Sequence, residues 1–303
     1  MKSPEISHGS VTANGVRFAY ASAGARGAPL VLLLHGFPER WFSFKQQLGP
    51  LADAGYHAVA PDLRGYGDSD KPDSGYDLDT LALDVAALIP ALGADRAVVV
   101  GHDWGGAITW EAAARHPHRV AAYAVLNAPH PVVFMQVLRR SWAQVKKSWY
   151  MGMFQLPFLP EWMLTRDGAR GLPRLFRQHA VAPERLDEGV LEELRASVAR
   201  PGAARTMLAY YRAAGRELLF RPGQSKQRLA SYPIIEQPGM LLWAEADKAL
   251  GLELVPPHTL VARDLRVRRV PGCGHFISLE RPEEVTAHLL AFLREVAPTV
   301  PRL

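Results

Sequence analysis

Val98-Val99-Val100-Gly101-His102-Asp103-Trp104-Gly105-Gly106 runs from an apolar β-branched stretch into glycines and then into a helical pattern. Glycines at 101 and 105 permit a strand-to-helix turn so sharp that residue 103 projects from the top of a sheet, where a nucleophile is presented to a substrate. Such an elbow usually holds serine, and here it holds aspartate. A carboxylate that attacks an ester or amide carbonyl forms a reactive anhydride with little gain, whereas attack on an electrophilic sp³ carbon forms an alkyl ester that water can later cleave. The implied substrates carry a strained ring or a good leaving group on carbon, as epoxides and alkyl halides do.

An aspartate in front of a helix is more often only its cap. Asp103 is distinguished by its company. Leu242-Trp243-Ala244-Glu245-Ala246-Asp247 puts an acid just beyond a strand-like run, and Gly272-Cys273-Gly274-His275-Phe276 puts a histidine in a glycine-rich loop after the next one. The order nucleophile, acid, histidine is the one an open α/β sheet of this type imposes. Upstream, Leu32-Leu33-Leu34-His35-Gly36-Phe37-Pro38 follows a strand where an oxyanion loop belongs. The backbone N–H groups of Phe37 and Trp104 are the candidate donors to a developing oxyanion, while Pro38 has no N–H to give. His35 and His102 read as hydrogen-bonded structural histidines.

The same alternation of strand and helix extends in both directions. Asn14-Gly15 joins two alternating runs and predicts an opening hairpin, because both residues tolerate positive φ. Strand-like runs follow at Leu30 to Leu34, His57 to Pro61, Ala97 to Val100, Ala121 to Leu126, Met240 to Trp243 and Leu265 to Val270. Continuous apolar strands separated by helices imply a parallel sheet covered on both faces. Helices are predicted over Asp79 to Leu92, with Asp79-Thr80 as cap and Gly93 as stop, and over Pro282 to Val296. From Pro129 to Tyr232 only helical patterns occur, rich in Trp, Met, Phe and Arg. The expected organisation is a core of residues 1–129 and 233–303 with a helical cap at 130–232 roofing a pocket.

The chain has 303 residues, 48% hydrophobic and 21% charged, enough to bury a full core. Its lone cysteine, Cys273, excludes an intramolecular disulfide and suits a reducing cytoplasm. MKSPEISHGS has no apolar run of a secretory signal, and Ala28 to Leu34 is far shorter than the roughly 20 residues a membrane span needs. The formal charge is +5, but 35 Lys and Arg are scattered among 30 Asp and Glu, so neither nucleic acid nor a membrane is an expected partner. The densest basic run, Arg139, Arg140, Lys146 and Lys147, reads as the solvated face of one amphipathic helix. His57, His116 and His118 have no supporting cluster of metal ligands, and no cofactor is called for.

Taken together, His35-Gly36-Phe37-Pro38-Glu39, Asp62-Leu63-Arg64-Gly65-Tyr66-Gly67-Asp68-Ser69, Gly101 to Gly106, Leu126-Asn127-Ala128-Pro129-His130-Pro131 and Gly274-His275 resemble the epoxide hydrolase branch of the α/β-hydrolase superfamily over nearly the whole chain. The second and fourth stretches read as structural turns, with Asp62 and Asp68 used in packing. The resemblance implies an α/β-hydrolase fold, a mostly parallel eight-stranded sheet flanked by helices with an inserted cap. It also implies two cap tyrosines that hold and protonate the epoxide oxygen. One precedes a Phe-Gln-x-Pro stretch, which points to Tyr150, and the other lies in an aromatic-Tyr-Arg motif, which points to Tyr211 with Tyr210 as its competitor.

The reaction so implied joins an epoxide and water into a vicinal diol. Asp103 attacks carbon, Tyr150 and Tyr211 donate to oxygen, and His275, oriented by Asp247, activates the water that cleaves the ester. Phe37, Trp104, Trp149, Met153, Leu250 and Phe276 are the expected substrate wall, in a monomer or homodimer. A haloalkane dehalogenase would use the same Asp103, Trp104, acid and His275, with Trp149 as a second halide donor. A noncatalytic hydrolase-fold binding protein is the alternative of another class.

Overall fold

The computed structural model of the chain describes residues 5–220, 231–255 and 260–297. Strands β1 (Ser7–Ala13) and β2 (Val16–Ala23) form the opening hairpin, with Asn14 at φ 46° and Gly15 at φ 72°. Then come β3 (Leu30–Leu34), α1 (Lys45–Asp53), β4 (His57–Pro61), α2 (Leu78–Ala91), β5 (Ala97–His102), α3 (Trp104–Arg115) and β6 (Val120–Leu126). The eight strands, completed by β7 (Gly239–Ala244) and β8 (Leu265–Val270), form one sheet in the order β1-β2-β4-β3-β5-β6-β7-β8. Only the pairs β1–β2 and β2–β4 are antiparallel. The family expectation of a mostly parallel eight-stranded sheet is therefore met.

Side-chain alternation along the central strands divides the core in two. Leu30, Leu32, Leu34 and Val99 face α2 and α3, where they meet Leu81, Val85 and Ile108. Val31, Leu33, Val98 and Val100 face the other way, onto Leu48 of α1 and onto Leu289 and Phe292 of the C-terminal helix Pro282–Val296. Each such side chain contributes about 1.5–3 kcal/mol on full burial, so both faces of β3 and β5 anchor the sheet beneath residue 103.

Two local expectations are corrected. Helix α2 begins one residue earlier than the predicted Asp79, because Asp77 rather than Asp79 accepts the Thr80 N–H, at 3.0 Å. The basic run does not lie on a single helix. Arg139 and Arg140 lie in the turn after α4 (Pro131–Leu138) and Lys146 and Lys147 in α5 (Trp142–Lys147), because Ser141 leaves helical geometry and caps α5 by accepting from Gln144 N–H.

Between β6 and β7 the regular elements among the described residues are all helices. After α5 come α6 (Trp149–Met153), α7 (Leu159–Ala169, broken at Arg166–Gly168), α8 (Leu172–His179), α9 (Glu188–Ala199) and α10 (Ala203–Phe220). Residues 221–230 of the expected cap lie outside the described residues. This layer is fastened to the loop after β4, with Thr206 Oγ1 donating to Gly65 O at 2.6 Å and Tyr210 Oη to Arg64 O at 2.8 Å. Two helices close the chain, α11 (Ile277–Glu280) and α12 (Pro282–Val296). No described helix is long and apolar enough to cross a membrane.

Candidate active site

The turn from β5 into α3 holds Asp103 at φ 50°, ψ −118°, a conformation L residues rarely adopt. Its flanking glycines are fixed by close approach. A Cβ on Gly101 would meet Gly105 O at 2.1 Å, and one on Gly105 would meet Leu34 O at the same distance. The carboxylate thus stands above the sheet beside the loop after β3. Phe37 N–H donates to Asp103 Oδ1 at 2.8 Å, while the Trp104 N–H is the first of α3. Asp103 does not cap that helix with its side chain.

His275, in the loop between β8 and α11, reaches Asp103 from the opposite side, with Nε2 3.5 Å from Oδ2. Its Nδ1 lies 2.7 Å from Asp247 Oδ2. Burial opposes a charged imidazole, but the carboxylates of Asp247 and Asp103 outweigh it and raise the His275 pKa well above its ordinary value. Burial likewise works against charge on Asp247. The His275 charge and hydrogen bond and those of the Asn127 amide and Leu250 N–H prevail, and hold its carboxyl below the usual range. Asp247 Oδ1 accepts from Ala249 N–H at 2.7 Å and Leu250 N–H at 2.9 Å.

Asn127, read from the sequence as part of a structural turn, lies within the candidate site. Just beyond β6, at φ 42°, it accepts from Ala244 N–H at 2.8 Å and donates Nδ2 to Asp247 Oδ2 at 2.8 Å. One amide therefore fixes the end of β7 and the acid together. The available signal was an Asn at the tip of an apolar strand, where αL geometry is cheapest for Asn.

The two expected structural histidines are hydrogen-bonded and buried. His35 Nε2 accepts from Leu63 N–H at 3.0 Å, and Nδ1 donates to Gly36 O at 2.9 Å. His102 does more than pack. Its Nε2 donates to His275 O at 2.8 Å, and its Nδ1 lies 2.8 Å from Glu39 Oε2, which also accepts from Gly36 N–H at 2.8 Å. Burial opposes ionisation of Glu39, yet the charge and hydrogen bond of His102 bring its pKa down to about 2, so Nδ1 donates. A single buried pair thereby joins the loop of Phe37 to the loop of His275. Asp62 and Asp68 are held by Arg40, each at 2.9 Å, and are packing acids as expected.

The helical layer supplies aromatic groups above Asp103. The Tyr211 ring packs edge-on against Trp104, centroids 5.1 Å apart, and against Phe37 at 5.2 Å, with Tyr150 at 6.0 Å. Burial, and behind it the Asp103 charge, pushes both phenols above their ordinary pKa. The Tyr211 shift is partly offset by a hydrogen bond with the Trp104 side chain. Tyr210 is fully buried, with its hydroxyl donated to the Arg64 carbonyl, which separates it from its neighbour. Of the expected wall residues, Phe37, Leu250 and Phe276 are buried, and Trp104 and Met153 are partly buried against the same core. Trp149 is 65% exposed on the outside of α6, and the structure does not bring it to Asp103 with the others.

Known proteins are similar to this chain. The α/β hydrolase fold family matches residues 29–282. Epoxide hydrolase 4 of Homo sapiens is 35% identical over 93% of this chain and 77% of its own length. Epoxide hydrolase A of Mycobacterium tuberculosis is 34% identical over 93% of this chain and 96% of its own length. The crystal structure of Epoxide Hydrolase A from Mycobacterium thermoresistibile superposes with TM-score 0.82 at 33% identity, covering 96% of this chain and 98% of that one. With its sheet order, its aspartate elbow and these relatives, the chain belongs to the α/β hydrolase fold family, in the branch its epoxide hydrolase relatives occupy.

Proposed function

We propose that the chain hydrolyses epoxides to vicinal diols in two half reactions, with residues 130–232 acting as the cap over the site. The observation that carries this reading is the Asp103 carboxylate itself, flanked by Phe37 N–H at 2.8 Å and His275 Nε2 at 3.5 Å beneath the buried Tyr211 and the partly buried Tyr150. An Asp103 oxygen attacks an epoxide carbon, the ring C–O bond breaks, and the alkoxide takes a proton from Tyr150 or Tyr211. The product is a hydroxyalkyl ester.

Esterification removes the Asp103 charge, and that charge both raises the His275 pKa and keeps the phenols from ionising. His275 then gives its proton to the tyrosinate left by ring opening, which restores the phenol and leaves a neutral imidazole to deprotonate water. Hydroxide adds to the ester carbonyl, and the oxyanion is held by the N–H groups of Phe37 and Trp104. Collapse breaks the ester C–O bond, the leaving alkoxide takes the proton of the new carboxyl group to complete the diol, and the restored Asp103 carboxylate again holds the proton on His275. Asp247 keeps the imidazole in the productive tautomer. Phe37, Trp104, Met153, Leu250 and Phe276 would line the substrate. Burial pushes the Cys273 thiol pKa up to about 12, so it needs no protection in a reducing cytoplasm and takes no part in the chemistry.

The dehalogenase alternative needs a second halide donor, and the exposure of Trp149 leaves it without the one the sequence offered. The deciding experiment is the initial rate of diol formation from racemic styrene oxide by the protein and by Asp103→Ala. Diol that disappears in the variant is the expected result. Halide release from bromoalkanes with no diol from epoxides would overturn the reading. In His275→Gln a mass adduct of the ester should accumulate after one turnover.

A further inference from the structure

We infer that the outer face of α5 to α7 docks on an anionic lipid surface. All the exposed Trp and Phe side chains among the described residues lie there, with Trp142 at 75%, Trp149 at 65%, Phe158 at 84% and Trp162 at 56% exposure. Leu156, Leu159 and Met163 join them, so seven of the twelve exposed large apolar side chains fall between residues 142 and 163. Scattered apolar residues on a surface need no explanation, but a concentration of this kind does.

The geometry gathers these side chains into stripes. Trp142, Lys146 and Trp149 follow one another at helical spacing on the outside of α5 and α6. The opposite side of α5 is anchored inward, with buried Gln144 Nε2 donating to Ser148 Oγ at 3.0 Å and to Ala249 O at 2.9 Å. Phe158 and Trp162 form a second stripe, joined by Trp162 N–H to Phe158 O at 3.0 Å and continued by Arg166, whose guanidinium lies 5.2 Å from the Trp162 ring. Behind it, Arg212 donates to Phe154 O at 3.1 Å and to Leu156 O at 2.7 Å, which binds this segment to α10, the helix that carries Tyr211.

Charge selects the occupant. Arg139, Arg140, Lys146 and Lys147 are interleaved with Trp142 and Trp149 in the sequence, and Arg166, Arg170 and Arg174 follow Trp162. Against these seven cations residues 139–174 carry two anions, Glu161 and Asp167, so this stretch holds a net +5, equal to the charge of the whole chain. Glu161 is already paired with Arg212 at 2.5 Å. A second copy of the chain seated on this face by a twofold axis would oppose the cations to themselves. Tryptophan beside Lys and Arg is instead the composition of a surface held at the interface of an anionic bilayer. This contact differs from spanning and is compatible with the lack of an apolar helix of spanning length among the described residues. It would set Tyr150 and Tyr211 one layer beneath the lipid.

The test is flotation of the full chain with phosphatidylcholine vesicles and with vesicles containing about one third phosphatidylglycerol. Binding only to the anionic vesicles, weakened by salt and lost in Trp142→Ser/Trp162→Ser, is expected. Because each cation near such a surface is worth about a factor of five, Lys146→Gln/Lys147→Gln should weaken binding roughly 30-fold. Both variants should turn over a water-soluble epoxide like the parent, which verifies their fold. No binding, equal binding to neutral vesicles, or binding that survives the tryptophan changes would overturn the inference. So would concentration-dependent self-association in sedimentation velocity that the tryptophan changes abolish, since the face would then join two copies.

Discussion

Replacing Asn127 by alanine tests whether one amide ties the acid to the sheet. The change leaves the buried Ala244 N–H without its acceptor at 2.8 Å and removes the donor 2.8 Å from Asp247 Oδ2. An orphaned buried donor costs about 1–3 kcal/mol and a lost hydrogen bond to a charged group about 1.5–3 kcal/mol. Alanine at the φ of 42° adds about 1 kcal/mol of backbone strain. The sum, roughly 3.5–7 kcal/mol, is a large part of the roughly 5–15 kcal/mol that holds a domain folded. Urea denaturation should register most of it, and Asn127→Gly should recover the backbone share. Asp247 keeps its bonds to His275 Nδ1, Ala249 N–H and Leu250 N–H, so it remains a carboxylate. Stopped-flow tryptophan fluorescence should therefore find ester formation within about twofold of the parent and ester hydrolysis slowed about tenfold, the equivalent of about 1.4 kcal/mol in the barrier. A stability loss below about 1 kcal/mol, or a slowed first step with an unchanged second, would refute the assignment.

Tyr150→Phe and Tyr211→Phe should each lower ester formation about 10- to 100-fold and together abolish it, since each hydroxyl alone can still protonate the oxygen; an active double variant in a rapid-quench assay contradicts this. The His275 pKa is raised in the folded state, so its charge stabilises the fold fully below its ordinary value and this contribution fades as pH rises through the folded one. Asp103→Asn removes one of the two carboxylates responsible, so the stability deficit of the variant relative to the parent, read by urea midpoints, should shrink as pH rises above the ordinary imidazole value of 6.5. Gly105→Ala would drive a Cβ to 2.1 Å from Leu34 O, which is backbone and cannot turn aside, and should yield little soluble protein.

Strands were the most legible part of the fold. Buried parallel strands are near-continuous apolar runs, so Leu30–Leu34 and His57–Pro61 have the bounds their composition predicts, and the edge strand Leu265–Val270 keeps its predicted bounds although Arg268 and Arg269 are exposed. The elbow was legible because its glycines answer to local geometry. What escaped the sequence depends on distance across the chain. The hydrogen bond from Asn127 to Asp247 spans 120 residues and that between His102 and the His275 carbonyl 173, and no local pattern announces either. Trp149 is adjacent to Tyr150 in sequence but faces the opposite side of a five-residue helix, so nearness to a motif misled. The Asp77 cap was missed because Asp77 and Asp79 both precede apolar spacing, and only the hydrogen bond to Thr80 distinguishes them.

The helical layer leaves the sheet after β6 and returns into β7, and those strands are parallel neighbours, with Val125 beside Leu241 and Leu126 beside Leu242. More than a hundred residues thus depart from and return to a seam one strand wide, already stitched by Asn127 to Ala244 and Asp247. An excursion rooted in this way is modular. Its length and surface can be exchanged while Asp103, Asp247 and His275 stay in register, because insertions are tolerated where chain ends already meet. Substrate range and surface preference can therefore diversify in the roof while the chemistry below stays fixed.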